Sequence, residues 1–418
     1  MTTLERAVCG LLLPPPSGGR VGVGAGPMPG KTPAERAALE AQGAVILRVF
    51  EAAGFAHIAP DILQPADVFL DRAGEEIRAR TFVFTDPAGT ELCLRPDLTV
   101  PACRYHLSHS SAPQAEARYC YQGPAFRFQP EGGLPLYPSE FDQAGIEWIG
   151  AAEPERADAE VLGLAVAAMA AAGLGRYRVR IGDLGLVGAL LHSIDMPERW
   201  RRRLMHQFWR PRAFRNLLDQ LTGARPRPRT SISPLLDRLA GGLEEAMDMV
   251  TVELDARGAQ LTGGRTIDEI AERLAEKAAD RHAPPLDKAK AALIDDYLAL
   301  RGPPEAVLGD LERLAAATGG AMPEAVARFR RRLDQIDARS VGARDCEFSG
   351  VFGRNLEYYT GFVFQIEVDR AQGGSLAIAG GGRYDNLLSD IGAPVAVPAV
   401  GCAIHTERLL AAAQGSLT

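Results

Sequence analysis

The chain has 418 residues, of which 46% are hydrophobic and 24% charged, and its formal net charge is −7 at pH 7. This composition is ordinary for a globular protein, and the length suits two or three domains of roughly 100–200 residues each. The acidic balance excludes a protein that coats nucleic acid through an overall positive charge. The sequence has no apolar run of about 18 residues, so no membrane span is expected. The six cysteines are scattered without a C-x-x-C pair, which predicts reduced thiols in a cytoplasmic protein.

The N-terminal segment, 1–30, is rich in glycine and proline and predicts a flexible tail. Thr32 is a residue type that caps helices, and apolar spacing at 41–53 predicts the first helix. The following patterns predict, in order, strands at 81–84 and 92–94, a helix at 98–107, strands at 118–121, 125–128 and 140–149, and a helix at 157–172.

The character of the sequence changes after residue 190, because 191–344 is helical in pattern, charged and poor in strand signals. Strands at 362–368 and 376–379 and a helix at 407–413 follow it. Strands separated by a helical block predict an α+β domain with a helical insertion. The expected organisation is therefore a first part of the core at 31–190, the insertion at 191–344 and a second part of the core at 345–418.

Four segments, in this order, resemble motifs of the histidyl-tRNA synthetases. They are LRPDLT at 94–99, GPAFRF at 123–128 with FDQAGIE at 141–147, EYYTG at 357–361, and GGGRYD at 380–385 with GCAIHTERLL at 401–410. Each segment is short, and their shared order and spacing make the resemblance specific. The resemblance implies the antiparallel sheet flanked by helices of a class II aminoacyl-tRNA synthetase.

A site for histidine requires acids for the amino group and the ring, and polar partners for the ring nitrogens. The matching motifs place such residues in one implied histidine-binding site: Asp97, Thr99, Gln143, Glu147, Tyr358 and Tyr359. From the residues alone, the alternative is a set of buried polar groups that pair with one another in a sheet. The resemblance further implies a residual phosphate-binding set of Arg127, Arg354 and Arg408, with no catalytic residue and no metal or cofactor.

Several positions depart from the synthetase pattern. Gln129 replaces the glutamate of the family's F-R-x-E motif, and His405 replaces a glycine beside which ATP lies. The loop at 130–138, which in the family carries cations toward the tRNA, has no Lys or Arg, and such a loop lacks the attraction to phosphate on which RNA binding depends. The sequence also ends soon after the last motif, where synthetases continue into an anticodon-binding domain.

These departures, together with LRPDLT in place of L-R-P-E-G-T, resemble the family of ATP phosphoribosyltransferase regulatory subunits. The resemblance implies a non-catalytic chain that forms a self-dimer, with Pro60 near the dimer seam, and assembles with a short-form catalytic subunit as an octamer. L-histidine is the implied effector in histidine biosynthesis, and no tRNA is bound. The rival hypothesis is a truncated but active histidyl-tRNA synthetase or histidine-activating ligase.

Two other features stay open at this point. The segment 199–229 interleaves arginine with aromatic residues, which is compatible with single-stranded nucleic acid, with a protein partner or with arginine stems that cover apolar surface. His106 and His109 are spaced to share a helix face as metal ligands. A third ligand is not evident, so a metal site is not expected.

Overall fold

In the computed structural model of the chain, the described residues are 30–70, 75–129, 137–226, 233–239, 242–257, 266–339, 346–353 and 358–415. The predicted flexible tail lies outside them apart from Gly30, and so does Arg354. The described residues belong to two units, one formed by 196–204 and 212–291 and the other by the remainder of the chain from residue 25 onward. The motif-bearing segments all lie in the second of these, which we call the sheet unit, and we call the first the helical unit.

Strands are numbered in chain order. They are β1 (Ala56–His57), β2 (Leu63–Pro65), β3 (Phe82–Thr85), β4 (Glu91–Leu94), β5 (Ala117–Phe126), β6 (Glu140–Ile149), β7 (Arg178–Asp183), β8 (Arg301–Gly302), β9 (Cys346–Ser349), β10 (Phe362–Asp369), β11 (Ser375–Arg383) and β12 (Ala399–His405).

Helices are numbered in the same way. They are α1 (Pro33–Ala52), α2 (Asp67–Leu70), α3 (Glu75–Arg80), α4 (Thr99–His109), α5 (Pro154–Ala171), α6 (Leu184–Ser193), α7 (Glu198–Gln207), α8 (Pro211–Leu221), α9 (Ser233–Arg238), α10 (Leu243–Arg257), α11 (Ile267–His282), α12 (Lys288–Ala299), α13 (Pro304–Thr318), α14 (Met322–Asp337), α15 (Leu387–Asp390) and α16 (Thr406–Ala413).

The main sheet has the strand order β1-β5-β6-β12-β11-β10-β7-β9-β8, and a small sheet has the order β2-β4-β3. Apart from the parallel pairs β1 with β5 and β7 with β9, the neighbours in the main sheet run antiparallel. The predicted mainly antiparallel sheet with flanking helices is therefore present. β12, which comes from near the end of the chain, lies between β6 and β11.

The first helix illustrates how local sequence sets an element. Thr32 accepts a hydrogen bond from the backbone N–H of Glu35, and the Glu35 side chain accepts one from the backbone N–H of Thr32. Pro33 follows at the first turn, where its missing N–H costs nothing. Ile46 and Phe50 are fully buried, and α1 packs against α5 and β5 on one face of the main sheet.

The prediction of two strands at 118–121 and 125–128 is wrong, because β5 runs without a break through Gly123 and Pro124. β1 pairs only with Tyr119 and Cys120, so Pro124 lies where this side of β5 has no strand partner among the described residues. A proline at such a position removes no ladder hydrogen bond. Strand β11 likewise continues through the glycines at 380–382, which the sequence pattern places after the strand.

The segment expected as a helical insertion, 191–344, is divided between the two units. α13 and α14 belong to the sheet unit, where α14 packs against α5 and α6. In the helical unit, α11 begins with a capping box of Thr266 and Glu269, and the small core formed by α9, α10 and α11 includes Leu239 and Ala246. The arginines of 199–203 are largely paired here, since Arg199 and Arg203 both contact Asp280.

Candidate functional site

A cavity of about 420 Å³ opens on one face of the main sheet. Strand register explains its floor: Gly401 of β12 pairs with Glu147 of β6 and with Gly382 of β11, and Ala403 pairs with Gly145 and Gly380. Directly paired residues point to the same face of a sheet, and glycines leave that face without side chains. The floor therefore has room for a ligand.

Five of the six residues implied as histidine-binding line this one cavity, although they come from three separate parts of the chain. They are Asp97, Thr99, Gln143, Tyr358 and Tyr359. Asp97 and Thr99 lie at the start of α4, Gln143 on β6, and the two tyrosines just before β10. The fold thus brings together residues separated by more than two hundred positions.

Two buried acceptor atoms in the cavity have no hydrogen-bond partner among the described residues: Asp97 Oδ2 and Gln143 Oε1. Asp97 Oδ1 accepts a hydrogen bond from the backbone N–H of Val100 at 3.2 Å. Burial raises the pKa of the Asp97 carboxyl, although the nearby Arg127 charge acts in the opposite direction. A buried acceptor without a partner is costly, so this end of the cavity is suited to a ligand that donates hydrogen bonds, such as an ammonium group.

Glu147 points to the same face of the sheet as the cavity floor, over Gly401, and is not among the residues that line the cavity. Its carboxylate accepts a hydrogen bond from Tyr121 at 2.8 Å and another from Tyr384, and the Thr99 side chain also hydrogen-bonds to it. Burial raises its pKa to about 7, and these hydroxyl donors limit the rise. A Cβ added to Gly401 would lie 1.6 Å from Glu147 Oε2, so only glycine leaves space for this carboxylate.

Three tyrosines form an aromatic wall of the cavity. The ring centroids of Tyr358 and Tyr359 are 4.8 Å apart, and Tyr358 meets Tyr384 edge to face at 5.8 Å. Tyr384 lines the cavity, and its hydroxyl donates to Glu147. The wall is suited to a flat ring such as imidazole.

A second cavity of about 370 Å³ adjoins the first, and Arg127 and His405 line both. Arg408, from the predicted phosphate-binding set, also lines the second cavity, where burial lowers its pKa to about 10 and the neighbouring Arg127 and Arg80 charges contribute. The His405 ring packs 4.8 Å from the Phe141 ring and occupies space that a glycine would leave open. The predicted Arg354 lies outside the described residues.

Sequence reasoning missed Arg80, Arg180 and Tyr384 as cavity residues. Tyr384 lies within the GGGRYD motif, so the motif was the available signal. Arg80 ends α3 and contacts Gln129, while Arg180 reaches the site through the pairing of β7 with β10. No local sequence pattern marks these two arginines.

A buried ion-pair network supports the loop that carries the tyrosines. Arg332 of α14 contacts Asp158 at 2.7 Å and Asp183 at 2.6 Å, and Arg383 contacts Asp158 at 2.7 Å and Asp385 at 2.9 Å. The loop at 358–361 is fixed to this network through backbone hydrogen bonds. The N–H of residue 360 donates to the Arg383 carbonyl, and the N–H of residue 184 donates to the carbonyl of residue 361.

The histidine pair that the sequence offers as metal ligands can be placed in the structure. His106 is buried and its ring nitrogens contact the Tyr119 hydroxyl and the Pro113 carbonyl, while His109 stacks on Tyr105. Within the described ranges, no group of three His, Cys, Asp or Glu side chains is arranged to hold a metal ion. No helix of these same ranges has the length and apolar character to cross a membrane.

Comparison with known proteins identifies the family of the chain. Residues 31–280 and 257–409 match the family model of histidyl-tRNA synthetase. The ATP phosphoribosyltransferase regulatory subunit of Mesorhizobium japonicum is 36% identical over 365 residues, which cover 87% of this chain and 95% of that protein. The same-named protein of Rhizobium rhizogenes is 35% identical over 83% of this chain and 91% of its own length.

Solved structures show the same fold. An ATP phosphoribosyltransferase regulatory subunit/histidyl-tRNA synthetase from Bacillus halodurans aligns with a TM-score of 0.63 at 22% identity, over 92% of this chain and 81% of that one. A histidyl-tRNA synthetase from Nostoc aligns with a TM-score of 0.59 at 18% identity, over 94% of this chain and 76% of that one. The predicted class II synthetase-like fold is confirmed. The sequence relatives in turn confirm the predicted family, and the chain belongs to the ATP phosphoribosyltransferase regulatory subunits.

Proposed function

We propose that this chain is a non-catalytic regulatory subunit that activates a short-form ATP phosphoribosyltransferase, a glycosyltransferase, and reports L-histidine to it in the cytoplasm. The observation that carries the proposal is the contrast between the two cavities. The first keeps the polar residues implied for histidine, with two buried acceptors still to be satisfied. The second has Gln129 and His405 where the resembled synthetase motifs have a glutamate and a glycine.

The site residues have distinct proposed roles. Asp97, Thr99 and Gln143 receive the amino group, since unpartnered acceptors attract an ammonium. Tyr358 and Tyr359 hold the ring, with Glu147 acting through Tyr384. Arg127 and Arg408 remain as a phosphate-binding remnant, together with Arg354. Feedback by histidine requires a coupling of about 1–3 kcal/mol between this cavity and the catalytic subunit.

The proposed assembly is a self-dimer that joins catalytic subunits in an octamer and binds no tRNA. Two large apolar side chains on one face of the small sheet, Leu63 of β2 and Phe84 of β3, support a self-dimer, because they are exposed in a single chain, as is Ile62 next to β2. Contiguous exposed apolar side chains commonly mark a protein interface. The proposed dimer seam includes Pro60, two residues before Ile62. Sedimentation of the chain alone and of the mixture with the catalytic subunit tests both steps.

The decisive experiment is co-purification with the short-form catalytic subunit, followed by its activity with and without L-histidine. Tyr359→Ala should weaken histidine inhibition of the complex and leave assembly intact. Tyr105→Ala is the matched control, because Tyr105 stacks on His109 and does not line either cavity. Equal inhibition in wild type and Tyr359→Ala would place the inhibitory site elsewhere.

The rival, a truncated synthetase or ligase, is tested by ATP–pyrophosphate exchange with histidine. We expect no exchange from the purified chain, because His405 fills part of the second cavity. Exchange at about 1 per second or faster, a rate typical of working enzymes, would contradict the regulatory role.

A further inference from the structure

Arg180 of β7 lines the first cavity, four strands away from Gln143 of β6 in the main sheet. It pairs with Gln365 of β10, which pairs with Gly380 of β11, which pairs with Ala403 of β12, and all four residues line the cavity. Directly paired residues of a sheet point to the same face, so these four form one row across the floor. The row continues to Gly145 on β6, the strand that carries Gln143. Arg180 and Gln143 therefore lie on opposite sides of the same floor.

The Arg180 guanidinium is held in one direction. Its Nη2 donates to Glu367 Oε2 at 3.2 Å, and the other oxygen of Glu367 accepts a hydrogen bond from Gln365 at 2.6 Å. Its guanidinium carbon lies 5.6 Å from the Phe352 ring centroid. A guanidinium has five N–H donors, and the side chain of Arg180 keeps 36% of its surface exposed. It is thus a pre-oriented cation with capacity for a further acceptor.

The cavity has three chemically different sides around its floor. The side of α4 and β6 offers the unpartnered oxygens of Asp97 and Gln143. The second side is the tyrosine wall, where Tyr384 donates to Glu147. Glu147 pairs with Gly401, whereas Arg180 belongs to the row of Ala403, so Glu147 and Arg180 lie in neighbouring rows of the same face. The third side offers Arg180. An α-amino acid has three corresponding substituents on its Cα: an ammonium, a side chain and a carboxylate.

We infer that Arg180 binds the α-carboxylate of the amino acid in this cavity, so that the site selects a free amino acid over the corresponding amine or amide. The inference rests on the proposed function for the identity of that amino acid, L-histidine. Among the described residues, Arg80 and Arg127 also line this cavity, and Arg80 contacts Gln129 and the Phe128 carbonyl. The Nε of Arg127 donates to the Pro96 carbonyl at 2.7 Å, and its guanidinium carbon lies 5.2 Å from the Phe141 ring centroid, toward the second cavity.

The test is calorimetric titration of the full-length chain with L-histidine and with histamine, which lacks the carboxylate. Arg180→Met should weaken L-histidine binding by about tenfold or more, as the loss of a charge-assisted hydrogen bond does, and leave histamine binding within about twofold. The matched control is Arg178→Met. Arg178 lies two residues earlier on β7, contacts Asp369 at the surface and does not line the cavity.

Arg180 could act only structurally, by neutralising the buried Glu367. The double variant Arg180→Met/Glu367→Gln distinguishes that role from carboxylate binding. This variant removes the buried charge that the single variant leaves unpaired. Histidine binding that stays weak in the double variant supports the inference. Recovery in the double variant, an equal loss for histamine, or unchanged histidine binding in Arg180→Met would overturn it. A wild-type chain that binds no L-histidine would overturn the proposed function as well as this inference. That result is therefore distinguishable from a failure of the Arg180 inference alone.

Discussion

Glu147 is a buried carboxylate, and Glu147→Gln removes its charge while keeping its size. Burial raises its pKa from 4.5 to about 7 in the folded chain. The unfolded chain has the ordinary value, so between these two values the folded state holds a proton that the unfolded state has lost. The group's contribution to stability is therefore fully present below about pH 4.5 and is lost as the pH rises through about 7.

The size of the effect follows from the shift, because one pKa unit corresponds to about 1.4 kcal/mol. From about pH 5 to about pH 8, the wild type should lose about 2–3 kcal/mol of unfolding free energy relative to Glu147→Gln. Calorimetry is the suitable assay, since the transitions of two units need to be resolved. Glu324→Gln, an exposed carboxylate on α14, controls for the loss of a surface charge.

The quantity to compare is the difference in unfolding free energy between wild type and Glu147→Gln, because the contributions of the other titrating groups cancel in it. A difference that stays constant over this pH range, or that favours the wild type more as the pH rises, would refute the reasoning. A constant difference would mean that the three hydroxyl groups around Glu147 fully offset the effect of burial on its charged form, and a difference that increasingly favours the wild type would mean that they outweigh it.

Further predictions concern packing and the second cavity. Arg332→Met should cost about 3–5 kcal/mol of unfolding free energy, because it leaves two buried aspartates without their shared partner, and thermal unfolding of the variant measures this. Gly401→Ala should destabilise the sheet unit by more than about 3 kcal/mol, since its Cβ would overlap Glu147; a melting temperature equal to wild type would contradict the packing argument. His405→Gly should increase ATP affinity by opening the space beside Phe141, and titration with ATP should show tighter binding than in wild type.

Local signals in the sequence were sufficient for several elements and failed for others. Thr32 and Glu35 form the capping box that their spacing indicates. The pattern around Pro124 predicted a break in the strand, and this was wrong. A proline costs a ladder hydrogen bond only where a neighbouring strand pairs with it, and the short length of β1 is not visible in any local pattern. The hydrophobic pattern at α13 and α14 predicted helices, and it contained no information on which unit they join.

The candidate site was predictable where a motif carried it and unpredictable where strand register created it. Asp97 and Tyr359 lie in recognisable motifs, and both line the cavity. Glu147 also lies in a motif, and its hydrogen bonds come from Tyr121 of β5 and from Tyr384, which follows β11. Arg180 has no motif, since its place in the cavity results from the pairing of β7 with β10.

The position of β12 has a consequence for synthesis of the chain. The hairpin of β5 and β6 is complete at Ile149, and the strand that covers the other edge of β6 begins at Ala399, about 250 residues later. At 5–20 residues per second, a ribosome needs roughly 10–50 seconds to produce that interval. An uncovered strand edge is a template for pairing with other chains. The β6 edge is therefore open to pairing with other chains until β12 has been synthesised.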